Sequence, residues 1–227
     1  MRLAFFASGG GSNVGAILDA VDAGRLDAEP ALVVTDRPDA GVLDRAEARG
    51  LPVAVLSPAR FDGEAAFADA LLGALREHDA DAVALAGYLK KVPDAVVEAF
   101  RHRVLNVHPS LLPAFGGAGW YGRRVHQGVL NAGCRVSGAT VHLVDGDYDT
   151  GPIVLQEAVR VEPGDTAEAL AARVLAVEHR IFPAALQLLA HDRLRVEDGR
   201  VTITGPGFRA QGSVDEPPRP GQKTSEP

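Results

Sequence analysis

Short apolar runs alternate with helix-period segments along the first two-thirds of the chain. LAFFAS at residues 3–8, ALVVTD at 31–36, VAVL at 53–56, DAVALAG at 81–87 and RVLNV at 103–107 are apolar almost throughout. Such runs suit strands covered on both faces. Between them, VGAILDAVDAG reads as a helix, and residues 41–50 read as a second helix with a glycine stop. In 62–78, Phe67, Leu71, Leu72 and Leu75 recur at helical spacing, and DAVVEAF is a further short helix. This strand–helix rhythm predicts an α/β fold: a doubly wound, mostly parallel sheet flanked by helices.

After Pro113 the pattern changes. FGGAGWYGRR is a glycine-rich loop and VHQGVLNAG a short helix. Residues 137–144 and 153–161 read as strands joined by the acidic loop DGDYDTGP. A long helix is expected over 166–190, with Leu170, Val174, Val177 and Ile181 on one stripe. LRVEDGRVTI carries Asp-Gly at its centre, the signature of a C-terminal β-hairpin. The segment 205–227 is proline-rich, polar and poor in branched apolar residues, and is expected to be a disordered tail. The expected division is therefore one domain over 1–204 and a tail over 205–227, with no internal repeat.

Composition narrows the class. The chain has 227 residues, 46% hydrophobic and 23% charged, the balance of an ordinary globular protein with a proper core. No run is long enough to span a membrane, and the start, MRLAFFAS, is too short in apolar length for a secretory signal. Cys134 is the single cysteine, so no internal disulfide can form, and a cytoplasmic location is expected. Cys134 reads as a small packed residue rather than a nucleophile. The net charge of −7 argues against a large nucleic-acid footprint but leaves room for a local basic patch that holds a small anion.

Two clusters carry candidate chemistry. SGGGSN, residues 8–13, lies between a predicted strand and helix. Ligands bind beyond the carboxyl ends of such strands, where glycines let backbone approach and helix amides favour an anion. The plainer reading is a tight turn whose helix is capped by Ser12 or Asn13. A dinucleotide fingerprint is only partial. Gly9 and Gly11 fit its first two glycines, but Val14 stands at the third position, Gly15 comes one later, and Asp36 ends the second strand. One phosphate suits the loop better.

NVHPSLLP ends the fifth predicted strand. Residues two apart on a strand face the same way, so Asn106 and His108 point together, and Pro109 takes the chain out of the sheet. A neutral amide donor and an imidazole could hold the oxygen of a tetrahedral intermediate. They could equally only tie down the turn before Pro109. If the loop carrying Asp149 folds over the pair, its carboxylate would raise the His108 pKa and could take a proton from an attacking amine.

With these motifs in view, residues 1–194 resemble the phosphoribosylglycinamide formyltransferases, which use 10-formyltetrahydrofolate. The landmarks are SGGGSN, LAGYLKKVP, LNVHPSLLP, SGATVHLVDGDYDTGPIVLQ and VEHRIFP. The resemblance implies a Rossmann-like formyltransferase domain and direct acyl transfer without a metal. It implies that Asn106, His108 and Asp149 are catalytic; His142 also matches the family, and either supports the site from behind or is a packed, hydrogen-bonded strand histidine. By the same likeness Gly11, Ser12, Asn13, Val14 and Gly15 hold the ribose phosphate, and Glu178 contacts the glycinamide. Leu89, Lys90, Lys91 and Val92 would line the folate pocket together with Asn106 and the loop Asp145, Gly146, Asp147, Tyr148 and Asp149. The implied partners are small molecules, with no nucleic acid and no membrane, in a monomer or homodimer.

The chain departs from the family pattern in two places. PAFGGAGWYGRRVHQ is richer in glycine and aromatics than the usual linker, and Trp120 and Tyr121 either cap the pocket or pack on the surface. A basic residue often found near Glu64 is missing, and either Arg60 substitutes for it or the contact is lost. Besides a dinucleotide-dependent oxidoreductase, which Val14 disfavours, three rivals stand beside this reading. A formyltetrahydrofolate hydrolase usually has a preceding regulatory domain and a second histidine where Pro109 stands. A methionyl-tRNA formyltransferase adds a tRNA-binding domain. A nucleotide-binding module without chemistry has no use for Asn106, His108 and Asp149 together.

Overall fold

The computed structural model describes residues 1–205, so residues 206–227 of the expected tail lie outside the described residues. The elements follow the order β1 (Arg2–Phe6), α1 (Ser12–Asp22), β2 (Glu29–Thr35), α2 (Val42–Glu47), β3 (Val53–Val55), α3 (Glu64–Glu77), β4 (Ala82–Leu85), α4 (Asp94–Ala99) and β5 (Val104–His108). The remainder is α5 (Arg123–Asn131), β6 (Val136–Leu143), β7 (Ile153–Arg160), α6 (Ala167–Ala190), β8 (Leu194–Glu197) and β9 (Arg200–Ile203). The one element the apolar period did not signal is a 3₁₀ turn at Pro58–Arg60, begun by a proline that needs no amide partner there.

A seven-stranded sheet runs in the order β3-β2-β1-β4-β5-β6-β7. The ladders from β3 through β5 are parallel, and β6 pairs antiparallel with both neighbours. This is the doubly wound, mostly parallel sheet that the strand–helix rhythm predicts. Strand β1 shows why its run is apolar without alternation. Leu3 and Phe5 enter one core with α1 and α6, while Ala4 and Phe6 enter the other with α3. In α6, Leu170, Val174, Val177 and Ile181 bury the predicted stripe. The hairpin β8–β9 turns on Asp198 and Gly199, at φ 49° and 71°, the double left-handed turn that Asp-Gly favours.

The parallel strands place their carboxyl ends on one edge of the sheet. The glycine loop after β1, the loop after β4 and the turn after β5 all open there. Because β6 is antiparallel, the β6–β7 loop leaves it beside the start of β5, where Leu143 pairs with Leu105, and Asp149 within that loop comes back to Asn106 and His108.

Candidate active site

Asn106 and His108 lie on β5 facing the same side, as the two-residue period requires. The turn beyond them is held mainly by other groups. Thr140 Oγ1 donates to the Ser110 carbonyl at 2.7 Å and accepts from the Leu112 amide at 3.0 Å. Gln156 Nε2 donates to Thr140 Oγ1 and to the Leu112 carbonyl. His108 supplies one tie, with Nε2 2.8 Å from the Phe115 carbonyl. A carbonyl only accepts, so Nε2 carries a proton and Nδ1 is left facing inward.

Nδ1 meets Asp149, whose Oδ2 lies 3.3 Å away. Asp149 is held in the left-handed region at φ 59°, and its Oδ2 accepts from the Gly117 amide at 2.9 Å. Its Oδ1 accepts from Asn106 Nδ2 at 3.3 Å. The loop comes this close because Gly151 has no side chain: a Cβ there would overlap the Leu143 carbonyl oxygen.

The antiparallel register of β5 and β6 sets His142 opposite Asn106. Asn106 Nδ2 lies 3.0 Å from His142 Nε2, and His142 Nδ1 lies 2.8 Å from the Leu143 carbonyl. The carbonyl requires the proton on Nδ1, so Nε2 accepts from the Asn106 amide. His142 therefore has no proton to give Asp149 Oδ1, 3.6 Å from the same nitrogen, and the shorter Asn106 contact is the bond.

Burial depresses the His108 pKa below the ordinary imidazole value. The Asp149 charge and the Phe115 carbonyl offset only part of this. The carboxylate does raise the His108 pKa, as the sequence leads one to expect, but desolvation of a ring 4% exposed outweighs it. Asp149 is pushed up by burial and pulled down further by the His108 charge and the Gly117 amide, so its carboxyl stays below the usual carboxylate value.

A cavity of about 130 Å³ opens over these groups. Leu89, Trp120 and Tyr148 at its wall are exposed apolar side chains, a rim suited to a flat heteroaromatic ring. The glycine loop continues from the carboxyl end of β1 into α1. Gly11 takes φ 65° at the start of α1, and a Cβ there would sit 2.6 Å from Val42 Cγ2. Asn13 Nδ2 donates to Glu178 Oε2 at 2.6 Å, and Asn13 Oδ1 has no partner. Burial raises the Glu178 pKa, and the Asn13 bond opposes this.

The sequence profile of the formyl transferase family matches residues 1–186. The chain belongs to this family.

Among its relatives, the chloroplastic phosphoribosylglycinamide formyltransferase of Arabidopsis thaliana is 44% identical over 200 residues, 87% of this chain and 68% of that protein. The phosphoribosylglycinamide formyltransferase of Bacillus subtilis (strain 168) is 39% identical over 188 residues, 83% of this chain and 94% of the relative. The crystal structure of glycinamide ribonucleotide transformylase 1 from Symbiobacterium toebii superposes with a TM-score of 0.85 at 43% identity, covering 90% of this chain and 94% of that one.

In this formyl transferase, the residues singled out from sequence mostly meet at one edge of the sheet. Leu89, Lys90, Lys91, Val92, Asn106, His108, His142, Asp145, Asp147, Tyr148 and Asp149 all line the cavity. Gly146 does not; it lines a separate hollow on the far side of its loop. Gly11, Ser12, Asn13, Val14, Gly15 and Glu178 form the second cluster, on α1 and α6. Neither Ser12 nor Asn13 caps α1: the cap position falls on Gly11, and no side-chain oxygen accepts from the first-turn amides.

The aromatic–glycine loop divides. Trp120 lines the cavity and meets Phe115 edge-on at 5.4 Å, whereas Tyr121 lies outside it under Arg124. Arg60 does not line the groove beside Glu64; Lys90 and Lys91 are its cations. Sequence reasoning passed over the Phe115 carbonyl, the Gly117 amide and Arg45. Backbone groups leave no sequence signal, and Arg45, whose Nε donates to the Gly10 carbonyl at 2.8 Å, lies in α2, remote in sequence from the glycine loop.

No helix among the described residues is long and apolar enough to cross a membrane, and none of their acidic, cysteine or histidine side chains gather into a metal-holding group.

Proposed function

We propose that this chain transfers the formyl group of 10-formyltetrahydrofolate to the amine of glycinamide ribonucleotide, giving N-formylglycinamide ribonucleotide and tetrahydrofolate. The observation that carries the reading is the convergence of Asn106 Nδ2, His108 Nδ1 and the Asp149 carboxylate on one cavity floor. The amine attacks the formyl carbon, a C–N bond forms, and the carbonyl oxygen gains negative charge. Asn106 and protonated His108 donate to that oxygen. When the intermediate collapses, the bond to N10 of the folate breaks. The proton lost by the amine passes to the departing nitrogen, with Asp149 as the group that relays it.

The contacts of each residue support its proposed role. His108 is oriented by the Phe115 carbonyl, so Nδ1 is the working nitrogen. Asn106 spends one amide proton on His142 and has the other, now directed at Asp149, to give to the substrate oxygen. The folate ring would lie against Leu89, Trp120 and Tyr148, with Lys90 and Lys91 near its acidic tail. The ribose phosphate would sit at Gly11–Gly15, with Glu178 near the glycinamide. The catalytic unit is residues 1–204, acting in the cytoplasm on small molecules as a monomer or homodimer.

The test is loss of the formyl group from a 10-formyl folate, followed by absorbance with and without glycinamide ribonucleotide. Amine-dependent turnover supports the reading. Turnover in water alone replaces it with a hydrolase, and nucleotide binding without turnover replaces it with a binding module.

A further inference from the structure

Two arginines sit one turn apart at helix α2, and they are used differently. Arg49 pairs with Asp19 and Asp22 at 3.2 and 2.7 Å. Among the described residues Arg45 forms no ion pair. Its one bond runs from Nε to the Gly10 carbonyl at 2.8 Å. The guanidinium then lies across the first turn of α1, so that a Cβ built on Gly15 would be 2.7 Å from Nη1. Helix α2 is braced on the same loop elsewhere, through the Val42 amide to the Gly9 carbonyl and the Val42 side chain against Gly11.

Three features of this corner point to a ligand. The positive end of α1 opens here, with the loop amides free of a side-chain cap. A guanidinium with four unspent N–H groups is fixed beside it. Asn13, 8% exposed, leaves Oδ1 unpartnered next to a buried carboxyl, a pair that calls for a hydroxyl or amine donor. An anion at one end and a hydroxyl or amine at the other describe a sugar phosphate.

We propose that Arg45 is the cation that reads the substrate phosphate, and that position 15 is glycine because a side chain there would occupy the guanidinium's place. This deepens the formyl-transfer reading and rests on it. The loop has no lysine or arginine of its own, and the chain as a whole is acidic. Backbone amides alone would bind a dianion against that background field. One oriented guanidinium adds charge-assisted, two-pronged donation. Arg45 also explains a feature that the glycine motif leaves open: Gly15 lies inside a helix, where glycine is unfavourable, and it takes no left-handed angle there.

Arg45→Met removes the charge and keeps the side-chain length. Its KM for glycinamide ribonucleotide should rise about 10- to 100-fold, with kcat within about threefold. The dephosphorylated glycinamide riboside should react alike with wild type and variant. Gly15→Ala, which keeps the arginine but displaces it, should raise the ribonucleotide KM several-fold without lowering the melting temperature. It serves if Arg45→Met does not fold. An unchanged ribonucleotide KM, or an equal loss with the riboside, overturns the proposal and makes Arg45 a strut for the loop.

Calorimetry with ribose 5-phosphate separates this claim from the activity. Wild-type binding weakened at least about tenfold by Arg45→Met, without formyl transfer in either protein, overturns the reaction and keeps the phosphate site. Formyl transfer with phosphate binding indifferent to Arg45 does the reverse.

Discussion

Replacing Asp149 by asparagine isolates the charge beside His108, the imidazole proposed to hold the oxyanion. The carboxylate oxygen lies 3.3 Å from His108 Nδ1, in a site where the ring is 4% exposed. Opposite unit charges at such separations attract by about 4 kcal/mol at an effective dielectric of about 20. The amide is nearly isosteric and its oxygen can still accept from the Gly117 amide, so the loop should stay in place. What is lost is the partial offset against burial, and the His108 pKa, already depressed, falls further. Fewer molecules then carry the imidazolium at neutral pH, and the stabilisation of the developing oxyanion weakens with them. The full attraction would be worth about three decades in rate, so a loss in kcat of about 100- to 1000-fold is expected.

The sign of the pH dependence follows. Lower pH restores the imidazolium in the variant, so the ratio of wild-type to variant kcat should narrow as pH falls. The folded variant also resists protonation of His108 more than wild type does, so its unfolding midpoint should drop more steeply on acidification. Formyl transfer measured by absorbance from about pH 5.5 to 8.5, with thermal unfolding at each pH, checks both. A variant within threefold of wild type at neutral pH, or a ratio flat across the range, would refute the electrostatic role.

Other perturbations probe separate links. His142→Ala removes the acceptor that orients the Asn106 amide, and kcat should fall about tenfold with the folate KM little changed; His142→Gln, which retains an acceptor, should recover part of the loss in steady-state assays. Glu178 has a folded-state pKa raised by burial, so its contribution to stability is present at acidic pH and lost as pH rises. Glu178→Gln should therefore raise the melting temperature at pH 8 relative to its effect at pH 4, even as the ribonucleotide KM worsens. Gly151→Ala forces a methyl against the Leu143 carbonyl, and denaturant titration should show a loss of about 2 kcal/mol or more, together with lost activity as the Asp149 loop shifts.

The legible part of this protein was what repeats locally. Unbroken apolar runs mark β1, β2 and β4 as strands buried on both faces, and their alternation with helical stripes is enough for the doubly wound sheet. The two-residue period puts Asn106 and His108 on one face without any knowledge of their surroundings. Local rules were misleading where tertiary packing decides which way a group is turned. Asn13 suits a helix cap by residue type, yet it lies inside α1 with its Nδ2 donating to Glu178, 165 residues away. Gly146 belongs to the acidic loop in sequence but faces the opposite hollow in space.

The residues themselves determined the strands, the helices, the glycine turn and the pairing of an amide with an imidazole, because backbone periodicity and side-chain chemistry act over a few positions. Tertiary structure alone decided that the Asp149 carboxylate reaches His108, that β6 runs antiparallel and sets His142 behind Asn106, and that Arg45 leans across Gly15. It also decided the balance between charge and desolvation at His108, since Coulomb attraction and burial depend on distances and solvent exclusion that only the packed chain creates.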